Sequence, residues 1–234
     1  GKGETFSLVG ESGCGKSTIA KLVVGLQRPS NGEILFDGQD LNKAITSKDS
    51  NRIRRRWQII FQDPFASLNP RWRVNDIISE PIRVFKLAKS KAEINDRVDK
   101  LLTQVGLSPA DGNKFPHEFS GGQRQRIAIA RALAASTTVL IADEPISALD
   151  TSSQAQVANL LVDLVHEFKM GMVFISHDLS IVRRISDRVA VMYLGKIVEI
   201  GSTSQIWENP SHPYTRALVS AIPHADGASF MPSD

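Results

Sequence analysis

One octapeptide limits what this chain can fold into more than anything else in it: Gly10-Glu11-Ser12-Gly13-Cys14-Gly15-Lys16-Ser17. It satisfies the pattern G-x-x-x-x-G-K-[ST], and Thr18 follows it. Glycines allow consecutive backbone N–H groups to turn inward around phosphate oxygens. Lys16 adds a point charge for β- and γ-phosphates, Ser17 a hydroxyl for Mg2+, and the helix that follows its positive N-terminus. Such a loop works between a strand and a helix. Here the apolar run Thr5–Val9 precedes it, and a helical pattern over residues 16–26 leaves it. An α/β core carrying a nucleotide-phosphate loop is expected.

The rest of the chain repeats that alternation. Apolar runs at 33–36, 57–61, 138–142, 172–176 and 188–194 are short and bounded by Gly, Asp or Pro, as buried strands are. Helical patterns cover 91–105, 122–135 and 153–169. This order implies a mostly parallel sheet covered on both faces. Residues 63–135 carry no strand pattern and suit an inserted helical subdomain. Residues 193–200 read as a hairpin turning at Gly195, two short helices follow Ser202, and 226–234 read as a frayed end. The expected division is a P-loop ATPase core over 1–62 and 137–201, a helical subdomain over 63–136, and a helical tail over 202–234.

Composition closes off other classes. The 234 residues are enough to bury a core without staples. Lys plus Arg number 28 against 25 Asp plus Glu, a net charge of only +3, a slim excess rather than a basic surface, which argues only weakly for nucleic acid. The single cysteine, Cys14, rules out a disulfide framework and a four-cysteine zinc site, and fits a reducing compartment. No apolar stretch approaches the ~20 residues of a membrane span, and no signal peptide is read from the sequence. Gly1 stands where Met would, with a strand almost at once, so further chain is expected upstream.

Other polar residues sit where an α/β nucleotide site collects its groups. The run over 138–142 ends in Asp143 and Glu144, which places two carboxylates at the carboxyl edge of the sheet. Asp143 there would hold Mg2+ directly or through water, and Glu144 could polarise a water attacking the γ-phosphate. Ser120-Gly121-Gly122-Gln123, after Phe119 and before a helix, reads either as a plain N-cap or as a second anion cradle. A second cradle is of use chiefly against nucleotide held by another subunit. Gln62, His177 and Asp150 stand at strand ends or in the loop after Glu144, as site groups or as surface and capping residues. His177 could touch and report a γ-phosphate. Arg52, Arg54, Arg55 and Arg56 read as a solvated rim, and His117, His212 and His224 as surface residues without ligand spacing. Cys14 reads as a silent small residue.

Taken in order, GESGCGKS, Gln62, FSGGQ, LIADEP, SALD (147–150) and His177 resemble the ATP-binding cassette (ABC) ATPases, over essentially residues 3–222. The resemblance implies two cassettes dimerising head to tail, with each ATP between one P-loop and the partner's signature. It implies that Gly10, Glu11, Ser12, Gly13, Cys14, Gly15, Lys16, Ser17 and Thr18 bind ATP. Ser17, Gln62 and Asp143 would serve Mg2+ and its water, Glu144 would be the catalytic base, and His177 would contact the γ-phosphate. Ser120, Gly121, Gly122 and Gln123 would cap the partner's nucleotide, with Asp150 at the dimer seam.

Residues 62–71 (QDPFASLNPR) and 212–218 (HPYTRAL) resemble, more narrowly, the oligopeptide/dipeptide/nickel importer branch. That branch implies a peripheral subunit on the cytoplasmic face of the membrane, beneath permease subunits fed by a periplasmic or surface solute-binding protein. Phe65, Leu68 and Trp72 would then meet the permease or pack locally. The alternative class is a soluble ABC ATPase acting on nucleic acid or ribosomes. The family's adenine-stacking aromatic lies upstream of the P-loop, and Trp57, Trp72 and Trp207 are not placed to substitute for it. Phe119 and Ile146 are modest departures, and no cysteine follows Cys14 to hold the iron–sulfur cluster of some importer tails.

Overall fold

A computed structural model describes residues 1–46 and 50–222 of the chain. Strand β1 (Thr5–Val9) runs into the glycine loop, and α1 (Lys16–Val23) leaves it. The helix stops short of the predicted residue 26 because Gly25 turns left-handed (φ 70°). Its amide then closes on Leu22 and that of Leu26 on Lys21. A small hairpin, β2 (Leu35–Phe36) and β3 (Gln39–Asp40), precedes α2 (Leu41–Ala44) and α3 (Ser50–Arg56). The strand predicted over 33–36 shrinks to two residues because its partner is itself two residues long and Leu35 faces solvent.

Strand β4 (Trp57–Ile60) then opens a stretch of helices: α4 (Pro64–Ser67), α5 (Val74–Val84), α6 (Lys91–Gln104) and α7 (Gly121–Ala134). As predicted, no strand interrupts them. The sheet resumes with β5 (Val139–Asp143), α8 (Thr151–Phe168), β6 (Gly171–Ile175), α9 (Leu179–Ile185) and the antiparallel pair β7 (Arg188–Tyr193) and β8 (Lys196–Ser202). Two helices, α10 (Thr203–Glu208) and α11 (Pro213–Ser220), end the described chain. The expectations for 226–234 and for His224 lie outside the described residues. Helices α2, α3 and α9 carry no prediction: each has seven residues or fewer, too few for a helical period to declare itself.

The large sheet has the order β4-β5-β6-β1-β7-β8 and is parallel except for its last pair. Strand β5 begins one residue later than predicted, since the Thr138 amide is spent on the Arg56 carbonyl at 2.8 Å. One continuous core joins the sheet to the helices: Leu140 and Phe174 share a buried cluster with Ile78, Leu102, Ile127 and Leu161. The arginine rim is exposed at Arg52 and Arg54, whereas Arg56 pairs with Asp37 at 2.7 Å and lies over the Phe36 ring. No described helix is long and apolar enough to cross a membrane.

Candidate functional site

Strand register assembles the site. Leu8 lies opposite Ile175, Asp143 opposite Ile175 on the other side, and Ile60 opposite Ala142. Continuing each parallel strand by a residue or two brings the glycine loop, Gln62, Glu144 and His177 to one edge of the sheet. That is the carboxyl edge, where ligands of α/β sheets bind.

Within the loop, Gly10 cannot be replaced without displacing backbone, because a Cβ there would meet the Met192 carbonyl oxygen at 2.2 Å. Gly15, at φ 108°, delivers the chain directly into α1 without any side-chain cap. The first amides of the helix are thereby left for something other than the protein's own side chains. Lys16 is only 5% exposed, and its Nζ donates to the carbonyls of Gly10 and Glu11, both at 2.8 Å. None of the ion pairs among the described residues includes Lys16. A buried ammonium with no acidic partner among the described ion pairs suits an anion. Glu11, Ser12, Gly13 and Thr18 face solvent around it, and Cys14 lies 3.9 Å from the ammonium through Sγ.

Ser17 Oγ donates to Asp143 Oδ1 at 3.0 Å. Burial pushes the Asp143 carboxyl above the ordinary carboxylate range, against the pull of the Ser17 hydroxyl, and the neighbouring Glu144 adds to the rise. Glu144 is left-handed (φ 48°), and its amide donates to the Ile175 carbonyl. This turns its carboxylate to where Gln62 Nε2 donates to Oε2 at 3.1 Å and His177 Nδ1 lies 3.3 Å from Oε1. Gln62 also lines a cavity of about 540 Å3 shared with Ser17, Lys21, Asp63, Arg131 and Asp143. Lys21 and Arg131 escaped the sequence reading. Lys21 stands one helical turn after Ser17, a signal that could have found it. Arg131, whose Nη1 donates to the Ser67 carbonyl at 2.5 Å, gave none.

The second cradle lies elsewhere on the chain. Ser120 Oγ accepts from the Gln123 amide at 3.3 Å, and Gln123 Oε1 accepts from the Ser120 amide at 3.0 Å, a closed capping box at the start of α7. Asp150 caps α8. The Ser152 hydroxyl, and the Ser153 amide and hydroxyl, hold its carboxyl far below the ordinary range. Ser120, Gly122, Gln123 and Ser153 line one crevice of about 240 Å3 with Arg126 and Gln156, which the sequence reading also missed. Arg126 is fixed there by the Val105 carbonyl at 2.9 Å and Gln156 Oε1 at 3.1 Å.

One open alternative resolves and one expectation changes. Leu68 is 2% exposed and belongs to the core, whereas Phe65 (56%) and Trp72 (39%) face solvent. His212 is not a plain surface residue: its Nδ1 accepts from the Tyr214 amide and caps α11.

Residues 1–147 match the family profile described as "ABC transporter", and residues 198–230 that of "Oligopeptide/dipeptide transporter, C-terminal region". The chain is 54% identical over 225 residues to the oligopeptide transport ATP-binding protein OppF of Bacillus subtilis, covering 96% of this chain and 74% of that one. It is 53% identical over 224 residues to the glutathione import ATP-binding protein GsiA of Pectobacterium atrosepticum, covering 96% of this chain and 36% of that one. Among solved structures, the ATP-binding cassette MJ0796, in a dimeric post-hydrolysis state bound to ADP and Pi, superposes with a TM-score of 0.76 at 30% identity. That superposition covers 87% of each chain.

Proposed function

This chain belongs to the ABC transporter family as an ATP-hydrolysing importer subunit, and we propose that it drives uptake of peptides or a similar small solute, with Glu144 as the catalytic base. The observation that carries the assignment is the convergence of Gln62 and His177 on the two oxygens of Glu144, next to the Ser17–Asp143 pair.

Lys16, the glycine loop and the uncapped first amides of α1 bind the β- and γ-phosphates. Ser17 and Asp143 fit Mg2+: they offer hard oxygens 3.0 Å apart, and Mg2+ takes one or two protein oxygens, with phosphate and water completing its shell. A cation there also favours the ionised Asp143 that burial disfavours. When bound, the ion neutralises charge on the phosphate oxygens. Glu144 accepts the proton of a water that attacks the γ-phosphorus in line, the bond to the β–γ bridging oxygen breaks, and ADP leaves with phosphate. Gln62 and His177 fix the carboxylate's orientation, so the base is in place before the water arrives.

Ser120, Gly121, Gly122 and Gln123 cap the nucleotide of a second cassette, identical or sister, with Asp150 at the seam. ATP binding closes that dimer and hydrolysis opens it. The core over 1–62 and 137–201 holds the nucleotide, the helices over 63–136 carry the signature, and the tail over 202–234 follows. Exposed Phe65 and Trp72 offer contacts to permease subunits at the cytoplasmic face of the membrane, and a solute-binding protein feeds the permease. No nucleic acid partner is expected.

Sedimentation of the Glu144→Gln chain with and without Mg-ATP tests the composite site. An ATP-dependent shift from monomer to dimer is the expected result. Hydrolysis at the native rate by this variant would remove the role given to Glu144.

A further inference from the structure

The glycine loop is gripped from outside by the other end of the chain. The Glu11 amide donates to the Tyr214 hydroxyl at 3.2 Å, across 203 positions of sequence. The same residue's carbonyl accepts from Lys16 Nζ. The Glu11 residue is therefore pinned on both sides, by the tyrosine through its N–H and by the lysine through its C=O.

The tyrosine stands on a rigid base. Glu199, on β8, accepts from the amides of Ser211 and His212 at 2.7 and 2.9 Å, which fixes the start of α11. His212 caps the helix onto the Tyr214 amide, Pro213 opens it, and Thr215 is fully buried. The Tyr214 ring packs on Tyr193 at 4.2 Å between centroids. Tyr193 ends the strand whose turn touches the loop again, through the Gly195 amide on the Cys14 carbonyl at 3.1 Å. Two of these contacts reach the loop itself, Tyr214 on the Glu11 amide and Gly195 on the Cys14 carbonyl, and both are long-range in sequence.

Resting on the reading of the glycine loop as a nucleotide-phosphate site, we propose that Tyr214 is a positioning residue for that site. The C-terminal segment holds Glu11, and through it the Lys16 ammonium, in the arrangement that phosphate requires. A loop freed from this strut samples more conformations, and ATP must then select the competent one at a cost in affinity. The tail thereby sets the nucleotide affinity of the chain without touching nucleotide.

The test uses the whole chain with Tyr214→Phe, which keeps the ring against Tyr193 and removes the acceptor. Two ligands are titrated, Mg-ATP and inorganic tripolyphosphate. Their dissociation constants should rise together by about three- to tenfold, the weight of one neutral hydrogen bond, with kcat within about twofold of native at saturation. Amide hydrogen exchange at Glu11 should quicken in the same variant. Native affinity for both ligands would overturn the proposal, as would a loss confined to ATP, since the tyrosine would then act on the nucleoside. Lys16→Ala separates the two layers of argument: if that chain still binds tripolyphosphate like the native one, the loop is not the phosphate site and the underlying reading falls. Should Tyr214→Phe melt early, Glu199→Gln, which loosens the base of α11, must show the same joint loss of both ligands; unchanged affinity there would refute the strut.

Discussion

Two glycine-bearing helix N-termini, at Lys16 after Gly13 and Gly15 and at Gly121–Gly122, are finished in opposite ways. At the first, no side chain caps the helix, a buried ammonium rests on carbonyls, and the nearest acid gives up its own hydration to sit beside Ser17. At the second, Ser120 and Gln123 satisfy each other's amides in a closed box facing solvent. Uncapped amides beside an unpaired buried charge demand an anion to be complete. A capped and exposed terminus demands nothing, so any ligand there must be brought by another molecule. On the proposed reading the first cradle is a holder, and the second is a lid for a nucleotide held by another cassette.

The largest expected effect falls on chemistry at the first cradle. Glu144→Gln keeps hydrogen bonds available to Gln62 and His177 but cannot take a proton, so the rate of phosphate release should fall by about 10²–10⁴-fold with ATP binding retained. Single-turnover phosphate release against equilibrium binding measures both. Next comes the holder itself. Lys16→Ala should weaken ATP binding roughly 10- to 100-fold, the weight of hydrogen bonds to a charged group, seen by titration of a fluorescent ATP analogue.

The lid is broken by a different change. At Gly121 a Cβ meets only Leu149, at an ordinary 3.4 Å, and a helix N-terminus welcomes an acid. Gly121→Asp should therefore fold and bind ATP like the native chain, yet lose ATP-driven association by on the order of tenfold or more, through repulsion of the partner's phosphates. Mixing Gly121→Asp with Lys16→Ala sharpens the contrast, since one chain keeps an intact holder and the other an intact lid. Sedimentation of the mixture with Mg-ATP should recover a dimer that neither chain forms alone. If Gly121→Asp instead weakens ATP binding by its own chain, the two cradles are not separate.

Much of the holder was legible because it is written locally. The octapeptide names its own conformation, and parallel alternation puts the ends of neighbouring strands at one edge, so Gln62, Glu144 and His177 could be brought together without coordinates. The register of Ile60 with Ala142 and of Asp143 with Ile175 then made the meeting one of hydrogen-bond distance. What stayed hidden was long-range or short-period. Nothing near His212 or Tyr214 announces Glu199 or Glu11, and Arg126 finds Gln156 only because α7 and α8 pack together. A four-residue helix such as Pro64–Ser67 has no period to read. The burial of Leu68 beside an exposed Phe65 is accordingly set by the neighbours and not by the pattern.

The smallest effect concerns the cost of keeping the holder ready. Asp143 is 6% exposed, and burial raises its carboxyl above the ordinary 3.8. A carboxyl whose folded value lies above its unfolded one penalises folding when ionised. The penalty is absent below about pH 3.8, where both states are protonated, and it is complete once the pH exceeds the raised folded value. Asp143→Asn keeps an oxygen for Ser17 and removes the charge, so without divalent cations it should melt higher near neutral pH, by about 2–4 °C if the relief is about 1 kcal/mol. The advantage should shrink as the pH falls and vanish in acid. Added Mg-ATP should reverse the order, raising the native melting temperature above that of the variant, because the cation and its phosphates restore to the aspartate what burial took away. A variant no more stable than the native chain at neutral pH would mean that Lys16, Lys21 and Ser17 already compensate the buried charge. The holder would then be relaxed before nucleotide arrives, and its contrast with the self-satisfied lid would disappear.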